Sequence, residues 1–362
     1  MALALNQARA RSELRPLQIE HLEGVAQFLA SGPGEPHSAA TWHERFAHWW
    51  DKNPYHEPDG PRGFVVQDGA RIGGFYGLIP LGFQIAGEDA RVYAGTTWRV
   101  DPEHARHALP LLTRVMRTAG GRLLFTWTGD ERVARVLRAL DWTELERPAA
   151  LGRRAPTTLL LRTGRLPSRW LRATGPLPGL HARAVAAAMR LRARGLVARR
   201  VPRADAALDA LWARTRGLRR TTQLRDARFL GWHLFAGHAF PKRLYECGRR
   251  GAEQACGVLV TAETASRGTR VASVADLWTD PAAPGAADAL VAEAVADATR
   301  DGFDAFVVPA LTEVLARLAG RRGFLPRRVD LGPEFVFGPA DLVREVVRDA
   351  GSLGALVGDR YL

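Results

Sequence analysis

Two carboxylates of the 362-residue chain lie at positions where a negative charge could have a catalytic role. Asp276 lies in the apolar run VASVADLW, which predicts a buried strand, and a buried carboxylate requires a partner or a function. Glu103 follows Pro102 at a predicted helix start, where an acidic residue either accepts a proton in catalysis or only stabilises the helix dipole. Both side chains are therefore candidates for a general base.

The histidines do not have metal-ligand spacing. The closest pairs are His43 with His48, His104 with His107, and His233 with His238. None matches HExxH or the Cys/His spacing of zinc sites. The chain also lacks the phosphate-binding motif GxxxxGK[ST] and the nucleophile motif GxSxG. We therefore expect no metal.

The positive charge is confined to the middle of the chain. There are 51 Lys+Arg against 38 Asp+Glu, but residues 147–204 hold 14 arginines and no acidic residue. The rest of the chain is nearly neutral, with 37 basic and 38 acidic residues. Because arginine suits phosphates and carboxylates, this segment is either a solvated linker or a dock for an anionic partner. That partner would be a carrier protein, tRNA or a membrane surface.

Composition and cysteine usage favour a globular cytoplasmic protein. With 46% hydrophobic and 25% charged residues, the chain is not disordered, collagen-like or a coiled coil. Cys247 and Cys256 lie across a predicted hairpin, so a cross-strand bridge is conceivable, but free thiols in a reducing cytoplasm fit better. No apolar run has the length of a membrane span, so we expect no transmembrane segment.

The chain contains an internal repeat of about half its length. The matching segments are RF at 45–46 with RF at 228–229, WRVDP at 98–102 with LWTDP at 277–281, and RVLRALDW at 135–142 with RLAGRRGF at 317–324. These three matches keep the same order and nearly the same offset, which predicts two copies of one domain.

The periodicity predicts the same elements in each copy. Helices are expected at 19–31, at 41–50 in the first copy and at 206–216 or 225–235 in the second, and again at 107–118 and 286–299 after a meander of three strands. A further strand, at 123–127 or 305–309, precedes a short helix and a closing strand, at 157–163 or 334–338. This order predicts a mixed α/β sheet with helices on both faces. The domains are 1–164 and 204–340, with an Arg-rich linker at 165–203 that carries a helix at 181–200, and a C-terminal helix or tail at 341–362.

The segments TTWRVDPEHARHALPLLTRVMRTA and FTWTGDERVARVLRALDW resemble the GCN5-related N-acetyltransferase (GNAT) superfamily. The resemblance implies an α/β fold of two tandem GNAT-like domains in a Fem-like arrangement, each a mixed, mostly antiparallel sheet flanked by helices. It also implies acetyl-CoA or another acyl-CoA as the acyl donor.

The resemblance further implies which residues bind the acyl-CoA. Pantetheine would pair with the fourth strand, and the pyrophosphate would bind the next helix start. The residues concerned are Trp98, Arg99, Val100, His104, Ala105, Arg106, His107, Ala108 and Asp130. The loop usually reads Q/R-x-x-G-x-G/A, and this chain has Ala105, Ala108 and Pro110 at the marked positions. Charge on His104, Arg106 and His107 would then have to compensate for the missing glycines.

The resemblance also directs the search for catalytic groups. Many GNAT enzymes place a tyrosine, as acid for the leaving thiolate, where this chain has Leu137 and Ala319. Tyr93, on the fourth strand, is the remaining candidate acid, with core packing as its alternative role. The candidate bases are Glu103, His107, Asp130 and Asp276, although some members of the family use only water.

Three functions follow as hypotheses. The first is an N-acyltransferase that moves an acyl group from acyl-CoA, or a carrier thioester, to an amine of a sugar, amino acid or secondary metabolite. The second is a Fem-like transferase that uses aminoacyl-tRNA, with the arginines of 147–204 binding the tRNA. The third is a non-catalytic binding protein made of two degenerate GNAT domains.

Overall fold

The computed structural model describes residues 12–145, 156–162, 178–235, 241–266, 268–309, 315, 318, 320, 324–326 and 333–349. The chain divides into two compact units. The first comprises residues 1–83, 89–145 and 332–344, and the second comprises residues 84–88, 146–331 and 345–362.

The first unit is built around one mixed sheet. Its strands are β1 (Glu13–Pro16), β2 (Gly63–Asp68), β3 (Arg71–Ile85), β4 (Glu88–Val100), β5 (Leu124–Trp127) and β6 (Thr143–Glu144). Its helices are α1 (Leu22–Ala30), α2 (Ala39–Phe46), α3 (Ala108–Ala119) and α4 (Glu131–Ala139). α2 continues as a π-helical turn, Ala47–Asp51, and a 3₁₀ turn, Pro102–His107, precedes α3.

The second unit repeats this order. Its strands are β7 (Pro156–Leu160), β8 (Leu196–Val201), β9 (Thr222–Gln223), β10 (Lys242–Arg249), β11 (Ala255–Ser266), β12 (Thr269–Thr279), β13 (Ala305–Val307) and β14 (Leu325–Pro326). Its helices are α5 (Pro178–Arg192), α6 (Ala206–Thr215), α7 (Ala227–Phe235) and α8 (Ala286–Arg300). The chain continues with β15 (Glu334–Phe337) and α9 (Ala340–Arg348).

The two sheets share one pattern of pairing. The first has the order β1-β2-β3-β4-β5-β15-β6, and the second has the order β14-β7-β13-β12-β11-β10-β8. In each, the strand before the long helix pairs in parallel with the strand after it: β4 with β5, and β12 with β13. The other registers, such as β2 with β3 and β10 with β11, are antiparallel. The α/β fold class with two mostly antiparallel sheets is therefore confirmed.

The closing strands are exchanged between the sheets, which corrects the expectation that each completes its own copy. β15 pairs with β5 and β6 in the first sheet, whereas β7 pairs with β13 and β14 in the second. The sequence boundaries 1–164 and 204–340 assign both strands to the opposite unit. A strand's own pattern fixes which face it buries, but it does not specify which sheet receives the strand.

The predicted helix 181–200 is only partly correct. α5 ends at Arg192, Gly195 adopts a left-handed conformation (φ 78°), and β8 then pairs antiparallel with β10. The linker therefore contributes a strand to the second sheet. The rest of the arginine segment, 147–155 and 163–177, lies outside the described residues.

The long helices form where they were predicted, because each buries one apolar face on its sheet. α3 packs Leu111, Leu112 and Val115 into the first core. α8, rich in alanine, buries most of its length in the second core, including Leu290 and Val291. These two helices therefore begin close to positions 107 and 286, as the apolar period indicates.

Candidate active site

A bulge in β4 marks the candidate site of the first unit. Thr97 has a φ of 56°, a conformation that β-branched residues rarely adopt. Tyr93 and Trp98 are five residues apart, yet both lie against the same core. Because successive residues of a regular strand point to opposite faces, an extra residue must lie between them. The bulge therefore turns Trp98 and Val100 back toward the core.

β4 and β5 part just before this bulge. Their parallel register joins Tyr93 to Leu124 and Ala94 to Phe125, while β4 runs on to Val100 and β5 to Trp127. Two parallel strands that separate leave main-chain N–H and C=O groups open to another extended molecule. The geometry therefore provides a place for an extended ligand along β4.

Tyr76, on β3, lies at the point where the strands part, and no sequence motif marks it. A Cβ on Gly95 would lie 2.5 Å from the Tyr76 hydroxyl, so the phenol rests directly on the backbone of β4. The hydroxyl is hydrogen-bonded to Thr126, on β5, and burial raises the pKa of Tyr76 to about 12. Its ring is stacked on Trp98 with centroids 5.9 Å apart. Only the pairing of strands brings these residues together.

Tyr93, the candidate acid, lies on the paired side of this point. Its ring is 3% exposed and belongs to the core. Its hydroxyl accepts a hydrogen bond of 2.9 Å from Arg122. These contacts correspond to the packing alternative.

The candidate pyrophosphate segment has few open amides. Residues 102–107 form a 3₁₀ turn that runs directly into α3, and the Ala108 N–H donates to the Ala105 carbonyl. Pro110 has no N–H to offer. A 3₁₀ turn thus lies where the resemblance in sequence implies a glycine loop.

Of the three side chains expected to compensate with charge, Arg106 is the one placed to do so. His104 is 4% exposed, with Nε2 3.3 Å from the Asp68 carboxylate. A Cβ on Gly73 would lie 2.5 Å from its ring, so His104 is packed inside. Desolvation, followed by the nearby Arg106, lowers the pKa of His107, so this imidazole is neutral at pH 7. Arg106 is exposed and donates to the Ser12 hydroxyl at 2.8 Å.

The other predicted binding residues of β4 and α4 have structural contacts. Arg99 donates to the Leu29 carbonyl at 3.0 Å, at the end of α1, and its guanidinium lies 4.3 Å from the Phe28 ring centroid. Asp130 is the N-cap of α4, and its Oδ1 accepts from the Arg132 N–H at 2.7 Å. Both side chains therefore hold helix ends. The backbone of β4 at Trp98–Val100 is independent of these contacts.

Glu103, the first candidate base, belongs to a charged cluster before α3. Its carboxylate pairs with Arg71, which also donates to Asp101 at 2.8 Å. Asp101, Glu103 and His104 bring potential metal-ligand atoms within 4.8 Å of one another. Arg71 and Arg99 already compensate the two carboxylates, so the cluster is a salt-bridge network that positions the turn rather than a cation site.

In the second unit the corresponding bulge is occupied by an ion pair. The register of β11 and β12 shifts between Asp276 and Val274. Asp276, the other candidate base, accepts two hydrogen bonds from Arg225, at 2.7 and 3.0 Å, and one from the Leu277 N–H. The Arg225 side chain is only 3% exposed, and it lies 4.7 Å from the Trp278 ring centroid. Asp276 is therefore the counter-ion of a buried arginine.

The turn before α8 is also closed by the protein itself. Gly285 has a φ of 96° and is the N-cap of α8. A Cβ there would lie 3.0 Å from the Arg192 carbonyl, at the end of α5. A carbonyl oxygen beside a helix N-terminus occupies the place that an anion would favour. The second unit thus places its own groups at both the bulge and the turn.

Comparison with known proteins identifies the fold. No protein-family model matches the sequence, and no curated protein matches it. Among solved structures, a GCN5-related N-acetyltransferase from Anabaena variabilis is similar, with a TM-score of 0.55, 10% identity, and coverage of 91% of this chain and 73% of that one. Saccharomyces cerevisiae N-myristoyltransferase with bound myristoyl-CoA is also similar, with a TM-score of 0.53 and 12% identity. The match covers 90% of this chain and 79% of that one.

A second GCN5-related N-acetyltransferase, from Kribbella flavida, gives a TM-score of 0.51 at 14% identity, covering 90% of this chain and 71% of that one. These similarities extend over both sheets. The chain therefore has the GNAT fold. Among the described residues, no helix combines the length and the apolarity needed to cross a membrane.

Proposed function

We propose, from the GNAT fold, that this protein is an acyltransferase whose first unit binds an acyl-CoA thioester and passes the acyl group to an amine. The amine nitrogen attacks the thioester carbonyl, the C–N bond forms, the C–S bond breaks, and CoA leaves as the thiol. The donor class is supported by the Saccharomyces cerevisiae N-myristoyltransferase neighbour, whose structure holds bound myristoyl-CoA. The acceptor class, an amine of a sugar, amino acid or secondary metabolite, is part of the proposal.

One observation carries this proposal: the parting of β4 and β5 at a strained bulge. Non-glycine residues with positive φ cost about 1–3 kcal/mol and cluster at functional sites. Thr97 has this conformation three residues beyond Ala94, the last residue of β4 in the parallel register. An acyl-pantetheine chain is extended and offers amide groups, so it can pair with the exposed edge of β4 as an added strand.

Within this site, Tyr76 is a positioning residue. Its phenol supports Gly95 from below and joins β4 to Thr126 on β5. Because the pKa of Tyr76 is raised to about 12, the hydroxyl stays protonated at neutral pH and keeps this hydrogen bond. Arg106, exposed at the turn before α3, supplies positive charge for the phosphates of CoA.

The second unit is assigned a role other than thioester binding. Its bulge holds the Arg225–Asp276 pair, and opening it would leave a buried charge without a partner. We therefore place the donor site in the first unit alone.

The test is a thermal-shift series with acetyl-CoA and myristoyl-CoA, followed by thiol release with a panel of amines. Ligand at 100 times Kd stabilises the folded protein by about 2.7 kcal/mol. Thr97→Gly, which tolerates positive φ, should retain the shift, whereas Thr97→Pro, whose φ is fixed near −65°, should lose it. Circular dichroism checks that both variants fold. A shift of wild-type size in Thr97→Pro would place the donor elsewhere.

The aminoacyl-tRNA hypothesis is the second candidate, and one observation favours it. α5, β8 and the residues after them expose a set of arginines: Arg183, Arg190, Arg192, Arg194, Arg199, Arg200 and Arg203. Binding of tRNA through such a set should weaken steeply with salt. Changing Arg192, Arg194 and Arg200 to Gln should then reduce both the affinity and its salt dependence. The non-catalytic hypothesis remains if neither thioester nor tRNA binds.

A further inference from the structure

Cys247 and Cys256 are brought together by a β-bulge. In the β10–β11 register, Cys247 faces Gly257 but Gly248 faces Ala255, so Cys256 is the extra residue. In a regular ladder Cys256 would face Gly248 and point away from Cys247, because neighbouring residues of a strand alternate between faces. The bulge turns Cys256 to the same side. The two Sγ atoms are 3.7 Å apart, inside one core.

Gly248 permits this arrangement. A Cβ on Gly248 would lie 3.0 Å from the Gln254 carbonyl, so a larger residue would push the two strands apart at the bulge. Both cysteines are free thiols. A disulfide needs Sγ atoms about 2.05 Å apart, so the two sulfurs, now 3.7 Å apart, must approach each other for the bond to close.

The two thiols differ in reactivity. Hydrogen bonding to Cys247, together with the nearby positive charges of Arg249 and Arg214, lowers the pKa of Cys256. Hydrogen bonding to Cys256 and burial raise the pKa of Cys247. Cys256 is also the more accessible thiol, at 7% exposure against 0% for Cys247. Since the thiolate is the nucleophile, Cys256 reacts first.

The pair is linked to the turn that precedes α8. The Cys256 carbonyl accepts the Asp280 N–H at 2.9 Å. Arg214 donates to Asp280 at 2.9 Å and to the Ala255 carbonyl at 2.7 Å. A change at Cys256 is therefore transmitted to the backbone at Asp280 through direct hydrogen bonds.

We propose that Cys247 and Cys256 form a redox-active dithiol that closes a cross-strand disulfide with a two-electron oxidant such as a peroxide. The Cys256 thiolate attacks one peroxide oxygen, the O–O bond breaks, and a sulfenic acid and water form. The Cys247 thiol then attacks the sulfenic sulfur; the S–S bond forms, the S–O bond breaks, and a second water leaves. Two thiols and one peroxide thus give one disulfide and two waters.

The experiment treats the folded full-length chain with hydrogen peroxide and counts thiols after denaturation. Because the chain has only two cysteines, the count and the peptide that holds the bridge are unambiguous. Both thiols should disappear together in the monomer, with loss of two hydrogen atoms by mass, and dithiothreitol should restore them. The three methionines report whether the oxidant reached the protein. Methionine oxidation with both thiols still free, or dimers joined by disulfides, would overturn the proposal.

Single variants test the order of the steps. In Cys247→Ser, dimedone should trap a sulfenic acid on Cys256, whereas Cys256→Ser should label weakly. The reverse labelling would contradict the assignment of Cys256 as the attacking thiol. In the wild type, oxidation should slow hydrogen exchange of the peptide around Asp280 and leave the peptide around Tyr93 unchanged. This readout needs no substitution and is therefore independent of how well the variants fold.

Discussion

The two units use the same bulge for different purposes. In the first, the extra residue is Thr97, held at a φ of 56° beside strands that part. In the second, the unpaired residue is Ala275. Its neighbour Asp276, which corresponds to Thr97 at the offset that aligns the repeats, is bonded to the buried Arg225. One bulge leaves a strand edge open, and the other is closed by a guanidinium and a carboxylate.

A bulge at corresponding places in both units is therefore not by itself a binding site. Chemistry at the bulge depends on whether the protein fills it. A buried ion pair contributes little net stability, but removing one of its two partners is costly. The Arg225–Asp276 pair therefore stays in the bulge of the second unit. The first unit has the Tyr76 phenol and Gly95 at the corresponding level. These two groups leave main-chain N–H and C=O groups of β4 available to a ligand.

The largest expected effect comes from breaking the Arg225–Asp276 ion pair. Arg225→Met leaves Asp276 without its partner and should lower the free energy of unfolding by about 3–5 kcal/mol, measured by denaturant titration. The matched control is Arg99→Met in the first unit, whose guanidinium binds carbonyls and is 25% exposed; its cost should be smaller. Adding Asp276→Asn to Arg225→Met should recover part of the loss. Equal costs for the two arginine variants would remove the distinction between the bulges.

The two lysines, Lys242 and Lys52, should differ in how they affect the pH dependence of stability. Lys242, in the second unit, donates to the His233 carbonyl, and burial lowers its pKa to about 7. Because an unfolded lysine has a pKa of about 10.4, the unfolded chain binds the extra proton between pH 7 and 10. Stability should therefore rise with pH in this window, by up to about 1.4 kcal/mol per unit.

Lys242→Met should flatten this rise, and Lys52→Met, at an exposed position, should not. Denaturant unfolding at pH 7, 8.5 and 10 measures all three proteins. The same slope in each would show that Lys242 keeps its proton when folded.

A smaller effect is expected where Tyr76 supports β4. In Gly95→Ala, the new Cβ would lie 2.5 Å from the Tyr76 hydroxyl, and such overpacking costs about 1–3 kcal/mol. Acyl-CoA binding should weaken as well, because β4 shifts. Gly257→Ala is the control: its neighbours are side-chain atoms at 3.0 Å or more, and it lies in the second unit. Donor affinity that falls equally in both variants would contradict the assignment of the site to the first unit.

The smallest expected effect concerns the phosphates of CoA. Arg106→Gln should weaken acyl-CoA binding about tenfold, the size of one charge-assisted hydrogen bond, with little change in stability. Arg190→Gln, which removes an exposed arginine from α5, should leave the affinity unchanged. Calorimetric titration at two salt concentrations compares the variants. Unchanged binding in Arg106→Gln would show that charge at this turn does not hold the donor.

Sequence patterns were reliable where one element has one dominant partner. α3 and α8 lie within two residues of their predicted bounds, because each apolar stripe demands burial on a sheet. Patterns failed where the outcome depends on distant segments. Residues 196–201 belong to a strand instead of a helix because β10 offers a ladder, and β15 completes the first sheet.

The candidate site was anticipated only in part. The fourth strand and the turn before α3 were found through motifs, but the roles of their side chains were not. Tyr93 binds Arg122, Asp130 caps α4, and Asp276 neutralises Arg225. Tyr76 could not be predicted as part of the site, because the sequence of β3 does not show that its phenol contacts Gly95 on β4. Residue type indicates what a side chain can do, whereas its partner decides what it does.

Sequence patterns were enough to predict a repeated α/β design, the positions of the long helices and the central location of the excess positive charge. These features follow from local periodicity and composition, which need no knowledge of distant partners. Three features needed the tertiary structure: the difference between the two bulges, the sheet that each closing strand enters, and the contact between the two cysteines. Each of these depends on strand register, and a shift of one residue exchanges the faces of every side chain in a strand.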